Sequence, residues 1–278
     1  MDITWNVAAK GIVSPEGPAA DLAGNVFLVS RWTGRVVKVD PAGRVSEVVQ
    51  TRGKPQSVAL VESGDLLLAD AKHRALYRVS PSGGLATLAD SIGGQAFRGP
   101  NDLVVADERV VYMTDPGLDM NAPGQILRIE IESGETSVLA DGFEFPNGIT
   151  ICADGRFLYV AESVTHRILR FELCEAGHTL GNPEIFYQFP DHHPDGIAFD
   201  RQGNLLVTMC GAGTLEVISP QATLIASIPT GGKHPTNCVF GGLDFQTLYM
   251  TEDDQEALLQ THWPVPGQRR FSRSVSAA

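Results

Sequence analysis

One short proline motif recurs six times along this chain and limits what the chain can fold into. In each copy a proline is followed by a polar residue, a small or polar residue and an apolar run, as in Pro194-Asp195-Gly196 before Ile197. The six prolines are Pro15, Pro55, Pro100, Pro146, Pro194 and Pro235. Successive prolines are 40, 45, 46, 48 and 41 residues apart. This period indicates six copies of one structural unit in a single closed architecture.

Each unit contains short strand patterns separated by turn residues. In the first unit an apolar run at 25–30 and a turn at 32–34 precede an alternating run at 35–40. The other units repeat this order, and no stretch has the periodicity of a normal amphipathic helix. Six such units, each long enough for four short antiparallel strands, predict an all-β fold, a six-bladed β-propeller. The alternative, a β-sandwich, gives no reason for a motif at blade spacing.

A propeller is closed by pairing the two ends of the chain, because an unpaired edge strand is a liability. The strand-like residues 3–7 are expected to complete the last blade. We therefore predict one propeller domain over residues 1–264 and a C-terminal tail over residues 265–278. The basic run at 269–273 is interpreted as a solvated part of that tail.

The composition excludes several classes of function. A net charge of −12 over 278 residues argues against nucleic acid as a partner, because such binding depends on clustered Lys and Arg. No segment has the roughly 20 apolar residues of a membrane helix, and the start lacks the regions of a secretory signal. We expect a soluble, cytoplasmic protein that acts on a small molecule. The four cysteines show no close pairing and are predicted to be buried thiols.

The residue after each proline is the candidate functional position. Proline fixes its own φ and biases the residue before it towards extended backbone, which suits the entry to the inner strand of a blade. Equivalent residues of the six blades then form a ring around the channel. These residues are Glu16, Gln56, Asn101, Asn147, Asp195 and Thr236. All six offer oxygen, and none is basic or apolar.

Four members of this ring predict a divalent metal site. The side chains of Glu16, Asn101, Asn147 and Asp195 would repel one another and lose hydration unless a cation lay among them. Oxygen ligands suit a hard ion, Ca²⁺ first, with Zn²⁺, Mn²⁺ and Mg²⁺ as alternatives. The competing interpretation is that Asn-Gly and Asp-Gly are ordinary turn dipeptides. Their recurrence at equivalent blade positions favours the metal site.

The motifs together resemble a known family of six-bladed propellers. The segments 14–18, 99–103, 145–149, 194–197 and 236–242 are similar to the gluconolactonase, regucalcin and luciferin-regenerating enzyme family. This resemblance covers nearly the whole chain. It implies a divalent ion held by Glu16, Asn147 and Asp195, with Asn101 as a further ligand or a substrate contact. It also implies hydrolysis of a lactone, in which the ion polarises the carbonyl group that water attacks.

Asp195 is the predicted catalytic residue. Its carboxylate is placed to bind the ion and also to act as general base for the attacking water. In related diisopropyl-fluorophosphatase-like members such a carboxylate is assigned as a nucleophile, so the roles of base, nucleophile and ligand stay open. The alternatives to a lactonase are a metal-dependent phosphotriesterase, a non-hydrolytic biosynthetic enzyme and a non-catalytic ligand- or calcium-binding propeller.

Four residues are predicted to contact the substrate, namely Arg98, Asn101, Asp119 and His193. Arg98 lies three residues before Asn101, where regucalcin-like members have an arginine two residues before. Asp119 follows a strand after which the family places an acidic contact. His193 directly precedes Pro194, on a loop expected at the channel mouth.

A second set of polar residues is interpreted as structural. His192 and His234 are expected on the same face as His193, as surface or supporting residues. Four acids end equivalent strands and are predicted to make hydrogen bonds to turns. These acids are Asp70, Asp115, Glu162 and Glu252.

Overall fold

Six antiparallel sheets are arranged as the blades of a propeller around one channel in the computed structural model, which describes residues 3–268. The first strand of each blade is the innermost one. The predicted fold and its low helix content are therefore confirmed. In residues 3–268 the only helix is a single 3-10 turn, Glu175–Gly177, and no helix is long and apolar enough to cross a membrane.

The first half of the chain contains blades 1 to 3. An N-terminal strand β1 (Asn6–Lys10) precedes blade 1, and a short hairpin of β10 and β11 separates blades 2 and 3. The strands are β2 (Pro15–Ala20), β3 (Val26–Ser30), β4 (Arg35–Val39), β5 (Val45–Gln50), β6 (Pro55–Leu60), β7 (Leu66–Asp70), β8 (Ala75–Val79), β9 (Leu85–Ala89), β10 (Ser91–Ile92), β11 (Gln95–Ala96), β12 (Leu103–Val105), β13 (Val110–Asp115), β14 (Pro123–Glu130) and β15 (Thr136–Glu144).

The second half contains blades 4 to 6. Blade 4 has an extra short strand, β19, beside the end of β18, and its outer strand is β20. The strands are β16 (Pro146–Ile151), β17 (Phe157–Glu162), β18 (Arg167–Cys174), β19 (Thr179–Leu180), β20 (Glu184–Gln188), β21 (His193–Phe199), β22 (Leu205–Cys210), β23 (Thr214–Ile218), β24 (Leu224–Pro229), β25 (Pro235–Gly241), β26 (Thr247–Glu252) and β27 (Ala257–His262).

The ring is closed by β1, which pairs antiparallel with β27 as the outer strand of blade 6. The pairing residues are 6–10, so the prediction of a strand at 3–7 was wrong in its bounds. Residues 3–5 instead contact blades 5 and 6, where the Trp5 indole donates to Pro229 O at 3.2 Å and the Thr261 hydroxyl donates to Thr4 O at 2.9 Å. The side chains of Ile3 and Trp5 pack against the apolar core.

At the other end of the described chain, Val265, Gly267 and Gln268 contact the blades. Val265 packs on the apolar core of blade 6, and Gly267 pairs with Asp200 in blade 5. The amide of Gln268 donates to Phe199 O at 3.0 Å. The domain boundary after residue 264 stays a prediction, and the basic run at 269–273 lies outside the described residues.

The proline motifs begin the inner strands, but with a backbone that differs from the expected one. Ser14 and Phe145 directly precede prolines and have φ values of 49° and 57°, in the left-handed region, so the expected extended backbone was wrong for them. The pairing register is irregular directly after Glu16, Pro146 and Pro194. Such β-bulges re-aim side chains, and here they turn the ring residues relative to the regular ladder.

Glycine follows the ring residue where two inner strands nearly touch. A Cβ on Gly148 would lie 2.1 Å from Asp195 O in the next blade, and a Cβ on Gly196 would lie 2.2 Å from the Asn237 side chain. No larger residue fits at these positions without moving a neighbouring blade. The Asn-Gly and Asp-Gly pairs are thus parts of strands β16 and β21, not turns.

The predicted structural role of the four strand-ending acids is confirmed. Each is almost fully buried and accepts hydrogen bonds from nearby backbone amides. Asp70 accepts from Lys54 and His73, for example, and Asp115 accepts from Arg98 and Gly99. Glu162 and Glu252 accept from amides in the same way.

The four cysteines are free thiols, as predicted, but only one is fully buried. Cys238 lies in the core, whereas Cys152, Cys174 and Cys210 are half-buried. The expectation of buried thiols is therefore correct for Cys238 alone.

The close contact between inner strands gives a testable prediction. Gly148→Ala should lower the free energy of unfolding by about 3 kcal/mol, because the new methyl group overlaps a backbone oxygen. Gly181→Ala is the matched control, since its methyl group would approach nothing closer than 3.4 Å. Denaturant unfolding of both variants measures the effect, and equal stability of the two would contradict the packing described for the channel.

Candidate functional site

The four predicted metal ligands lie in the inner segments of blades 1, 3, 4 and 5. Glu16, Asn101, Asn147 and Asp195 are between 2% and 9% exposed. Besides burial, the negative charge of Glu16 raises the pKa of Asp195 and the Asn147 amide lowers it, so these three side chains are neighbours. The structure thus brings the two carboxylates and the Asn147 amide into one polar centre, here called the oxygen ring.

The remaining two ring positions, Gln56 and Thr236, are also buried. The Thr236 hydroxyl donates to Pro15 O at 2.9 Å and is hydrogen-bonded to the Thr251 hydroxyl at 2.7 Å. Its bonds therefore join blade 6 to blade 1 across the closure of the propeller.

Two oxygen atoms of the oxygen ring are buried without a hydrogen-bond partner, namely Glu16 Oε2 and Asn147 Oδ1. The Asn147 amide is held from its other side, because Nδ2 donates to Ser163 Oγ at 3.2 Å. The Ser163 hydroxyl in turn donates to Pro194 O at 2.7 Å. A buried acceptor without a donor raises the free energy of the folded protein. A positively charged group or ion beside these two oxygens would lower it.

Burial dominates the electrostatics of the two carboxyl groups. It raises the pKa of Glu16 to about 7, although the nearby Arg31 charge opposes the shift. Burial also raises the pKa of Asp195 well above its usual range, and the negative charge of Glu16 raises it further. Keeping both groups ionised at neutral pH therefore requires positive charge among them.

These observations test whether the residues fit a metal ion. Across residues 3–268 no group of three or more His, Cys, Asp or Glu side chains is arranged to hold one. The oxygen ring has two carboxylates, so its other ligands would be amide oxygens. The orphaned Glu16 Oε2 and Asn147 Oδ1, together with the repulsion between Glu16 and Asp195, fit a hard divalent cation.

An ion pair beside the oxygen ring was not found from the sequence. Arg31 Nη2 lies 2.9 Å from Asp253 Oδ2, and its Nε donates to Ser14 Oγ at 2.9 Å. The Arg31 charge lowers the pKa values of both Glu16 and Asp195 against the effect of burial. Arg31 follows β3 and Asp253 follows β26, so only closure of the propeller brings them together.

A third buried carboxylate, Asp102, directly follows Asn101 in the chain. Asp102 Oδ1 accepts from Ser57 Oγ at 2.7 Å and from the Leu103 amide at 2.9 Å, while Oδ2 accepts from the Ile149 amide at 3.2 Å. Burial raises the pKa of Asp102, and its charge raises the pKa values of Glu16 and Asp195. Because donors surround Asp102, it differs from the orphaned ring oxygens.

His193 lies on the mouth side of blade 5, and its Nδ1 is 3.0 Å from Ser163 O. A carbonyl oxygen only accepts, so Nδ1 carries the proton and Nε2 of a neutral ring is an acceptor. His192 Nε2 lies 3.6 Å from Asp191 Oδ2, and His234 Nδ1 lies 2.8 Å from Asp254 Oδ1. Of these three histidines, His193 is the one hydrogen-bonded to Ser163, whose hydroxyl group accepts a hydrogen bond from Asn147.

The half-buried Cys210 is a further neighbour of the oxygen ring. Burial raises the pKa of its thiol to about 12, and the charges of Asp195 and Glu16 contribute to the shift. The thiol therefore stays protonated at neutral pH and does not supply a thiolate nucleophile.

Arg98 and Asp119, two of the predicted substrate contacts, are engaged elsewhere. Arg98 forms a two-pronged ion pair with Asp141, at 2.6 and 2.7 Å. Asp119 is exposed, and its Oδ1 accepts from the Asn121 amide at 2.9 Å. In the described chain no hydrogen bond or ion pair links either residue to the oxygen ring. Their contact with a substrate stays a prediction, as it does for Asn101 and His193.

The fold and the site define a class of six-bladed propellers with a buried, oxygen-lined centre in the channel. The family model for the SMP-30/gluconolactonase/LRE-like region matches residues 14–253. The chain therefore belongs to the SMP-30/gluconolactonase/LRE-like family, and the resemblance seen in the sequence is confirmed.

Several relatives support this assignment. The chain is 26% identical to the gluconolactonase of Zymomonas mobilis, over 92% of this chain and 80% of that protein. It is 30% identical to Protein STRICTOSIDINE SYNTHASE-LIKE 10 of Arabidopsis thaliana, over 91% of this chain and 77% of that protein. It spans about half the length of some other curated relatives.

The fold is also similar to that of a solved structure, a calcium-binding protein, regucalcin, from Agrobacterium tumefaciens. The TM-score is 0.83 at 20% identity, with 97% of this chain and 96% of that chain covered. At this identity the likeness supports the fold.

The raised pKa values give a prediction for the protein treated with a chelator. Between the ordinary value of 4.5 and about 7, folded Glu16 holds a proton that the unfolded chain releases. Binding of this proton stabilises the folded protein at low pH, and the stabilisation is lost as the pH rises through about 7. The raised pKa of Asp195 makes the stability depend on pH in the same direction. Thermal unfolding at a series of pH values should therefore show that Glu16→Gln loses less stability than the wild type as the pH rises. Equal slopes for the two proteins would contradict the burial of an ionisable Glu16.

Proposed function

We propose that this protein is a divalent-metal-dependent hydrolase that opens the ring of a lactone, a sugar lactone or a related small lactone, with water at the channel mouth. The observation that carries the proposal is the pair of buried carboxylates, Glu16 and Asp195, with the orphaned oxygens Glu16 Oε2 and Asn147 Oδ1. Membership of the SMP-30/gluconolactonase/LRE-like family and similarity to a gluconolactonase support the choice of a lactone.

Glu16, Asn101, Asn147 and Asp195 would hold the ion, and all four are buried. Oxygen ligands and the likeness to a calcium-binding regucalcin favour Ca²⁺, with Zn²⁺, Mn²⁺ and Mg²⁺ as alternatives. A bound divalent ion would supply Lewis-acid polarisation of the lactone carbonyl group. The side chains described above supply the remaining parts of the reaction.

Asp195 is the residue that would take the proton of the attacking water. Its carboxylate is buried beside the Asn147 amide and the Glu16 carboxylate. Burial and the Glu16 charge raise its pKa, which makes it a better proton acceptor than an exposed aspartate. Arg31 opposes this shift and so favours the ionised form in which Asp195 can accept a proton.

Two other groups are suited to orient the lactone. The Asn101 side chain makes no hydrogen bond to any other described residue, which leaves its amide free for an ion or a substrate oxygen. His193 presents Nε2 as an acceptor in its neutral form, because Nδ1 donates to Ser163 O. Both groups belong to segments at the entrance of the inner strands.

The proposal predicts hydrolysis of at least one lactone by the metal-loaded protein and its loss after chelation. A panel of aldonolactones, aliphatic lactones and phosphotriesters, assayed after loading with Ca²⁺, Zn²⁺, Mn²⁺ or Mg²⁺ in turn, measures this activity. Turnover of a phosphotriester alone would favour the phosphotriesterase alternative. Metal binding without turnover of any panel member would contradict the hydrolase and favour a biosynthetic or non-catalytic role.

Two variants control this assay. Asp195→Asn removes the proton acceptor and should lower kcat by about a hundredfold or more while the fold is retained. Asp90→Asn makes the same chemical change on an exposed side chain whose contact is the Ser91 hydroxyl, and it should keep full activity. Activity of Asp195→Asn equal to that of Asp90→Asn would show that Asp195 does not move the proton.

A further inference from the structure

Four basic side chains lie in two neighbouring loops at the mouth end of blade 2. Arg52 and Lys54 belong to the segment that leads into β6, and Lys72 and Arg74 belong to the loop between β7 and β8. Lys72 Nζ donates to Arg52 O at 3.2 Å, which ties the two loops together. We call these four residues the basic patch.

The basic patch stands out because the protein as a whole carries a net charge of −12. Within residues 3–268, none of its four side chains forms an ion pair with an acid. Asp70 ends β7 next to the patch, but its Oδ1 accepts from the backbone amides of Lys54 and His73. Among the described residues, Asp70 is therefore bound to backbone amides and does not pair with a basic side chain of the patch.

Lys54 lies two residues before Gln56, which is the ring position of blade 2. It directly precedes Pro55, so it occupies in blade 2 the place that Ser14 has in blade 1 and His193 has in blade 5. Ser14 accepts a hydrogen bond from Arg31, and His193 contacts Ser163 beside Asn147. By this equivalence Lys54 stands on the rim of the mouth that leads to the oxygen ring.

The environment of Lys54 is unusual for a lysine. It is half-buried, and its Nζ lies 4.6 Å from the ring centroid of Trp32, a residue of the loop between β3 and β4. Trp32 is 66% exposed, an uncommon state for so large an apolar side chain. Burial lowers the pKa of Lys54, and the positive charge of Arg31 lowers it further. Arg31 is already paired with Asp253, so a bound anion would mainly offset the burial of the Lys54 ammonium group and its repulsion by Arg31.

We propose that Lys54 and Trp32, backed by the basic patch, form a subsite for an acidic group of the substrate. The substrate class is then a lactone that carries a carboxylate, sulfonate or phosphate group outside the ring. The Lys54 ammonium group binds that anion, and the exposed face of Trp32 packs against the carbon skeleton beside it. This inference rests on the proposed lactone hydrolysis for the identity of the reacting group.

The test compares a lactone that carries a free carboxylate with the primary amide of the same lactone. The two molecules differ in charge at one position, so the ratio of their kcat/KM values measures recognition of the anion. The wild type should prefer the carboxylate. Lys54→Met, which keeps an apolar side chain against Trp32, should lower this ratio by about tenfold, mainly through KM, the effect of losing one charge-assisted hydrogen bond.

Two further variants make the result specific. Lys54→Arg keeps the positive charge and should retain most of the preference. Lys10→Met removes an exposed lysine without an ion pair from β1, on the outer edge of blade 6, and should leave the ratio unchanged. A preference in Lys54→Met equal to that of the wild type would overturn the subsite.

A binding measurement separates failure of the subsite from failure of the proposed function. The ligands are the ring-opened forms of the two test lactones, called the acid where the group outside the former ring is a carboxylate and the amide where it is the primary amide. Isothermal titration of each ligand into metal-loaded protein needs no turnover. Binding that prefers the acid, depends on Lys54 and weakens with added salt supports the subsite even if neither lactone is hydrolysed. Hydrolysis of both lactones without any preference that depends on Lys54 rejects the subsite and keeps the hydrolase.

Discussion

The burial of two carboxylates in one channel mouth is the constraint on which the rest of this site depends. Glu16 and Asp195 come from blades 1 and 5, and each raises the free energy of the other's ionised form. Arg31 compensates only in part, since burial still raises both pKa values. The unpartnered Glu16 Oε2 and Asn147 Oδ1 show that the protein's own groups do not satisfy the centre. In the proposed function a divalent ion would supply both the missing positive charge and the missing ligand contacts.

The propeller holds such an unfavourable centre in place because its inner strands approach very closely. Gly148 and Gly196 let neighbouring strands pack at distances that a side chain would prevent. Ser163 fixes the Asn147 amide through a chain of hydrogen bonds that ends at Pro194 O, in the next blade. The ring oxygens are therefore fixed by contacts between blades. A centre of this kind is pre-organised, and the stability of the surrounding sheets offsets the cost of its burial.

Much of the fold follows from the sequence, because the spacing of one local motif reports the blade period directly. The ring residues could be predicted for the same reason, since each directly follows a repeated proline. Other features depend on closure of the ring and leave no local signal. The Arg31–Asp253 ion pair joins residues 222 positions apart, and the left-handed backbone of Ser14 runs against the usual preference before proline. Arg98 likewise forms an ion pair with Asp141, and no motif near either residue in the sequence predicts this pair.

The oxygen ring and Lys54, the two proposed parts of the substrate site, lie on one face of the propeller. The oxygen ring is suited to a cation and a lactone carbonyl group, while Lys54 on the rim is suited to an anion. The central claim is that a divalent cation binds among Glu16, Asn147 and Asp195, and anomalous diffraction from crystals soaked in Mn²⁺ tests it most directly. The account predicts an anomalous peak bounded by oxygens of these three side chains, absent from crystals of Glu16→Gln. A well-ordered channel with no peak there, or a peak bound only at other residues, would contradict it.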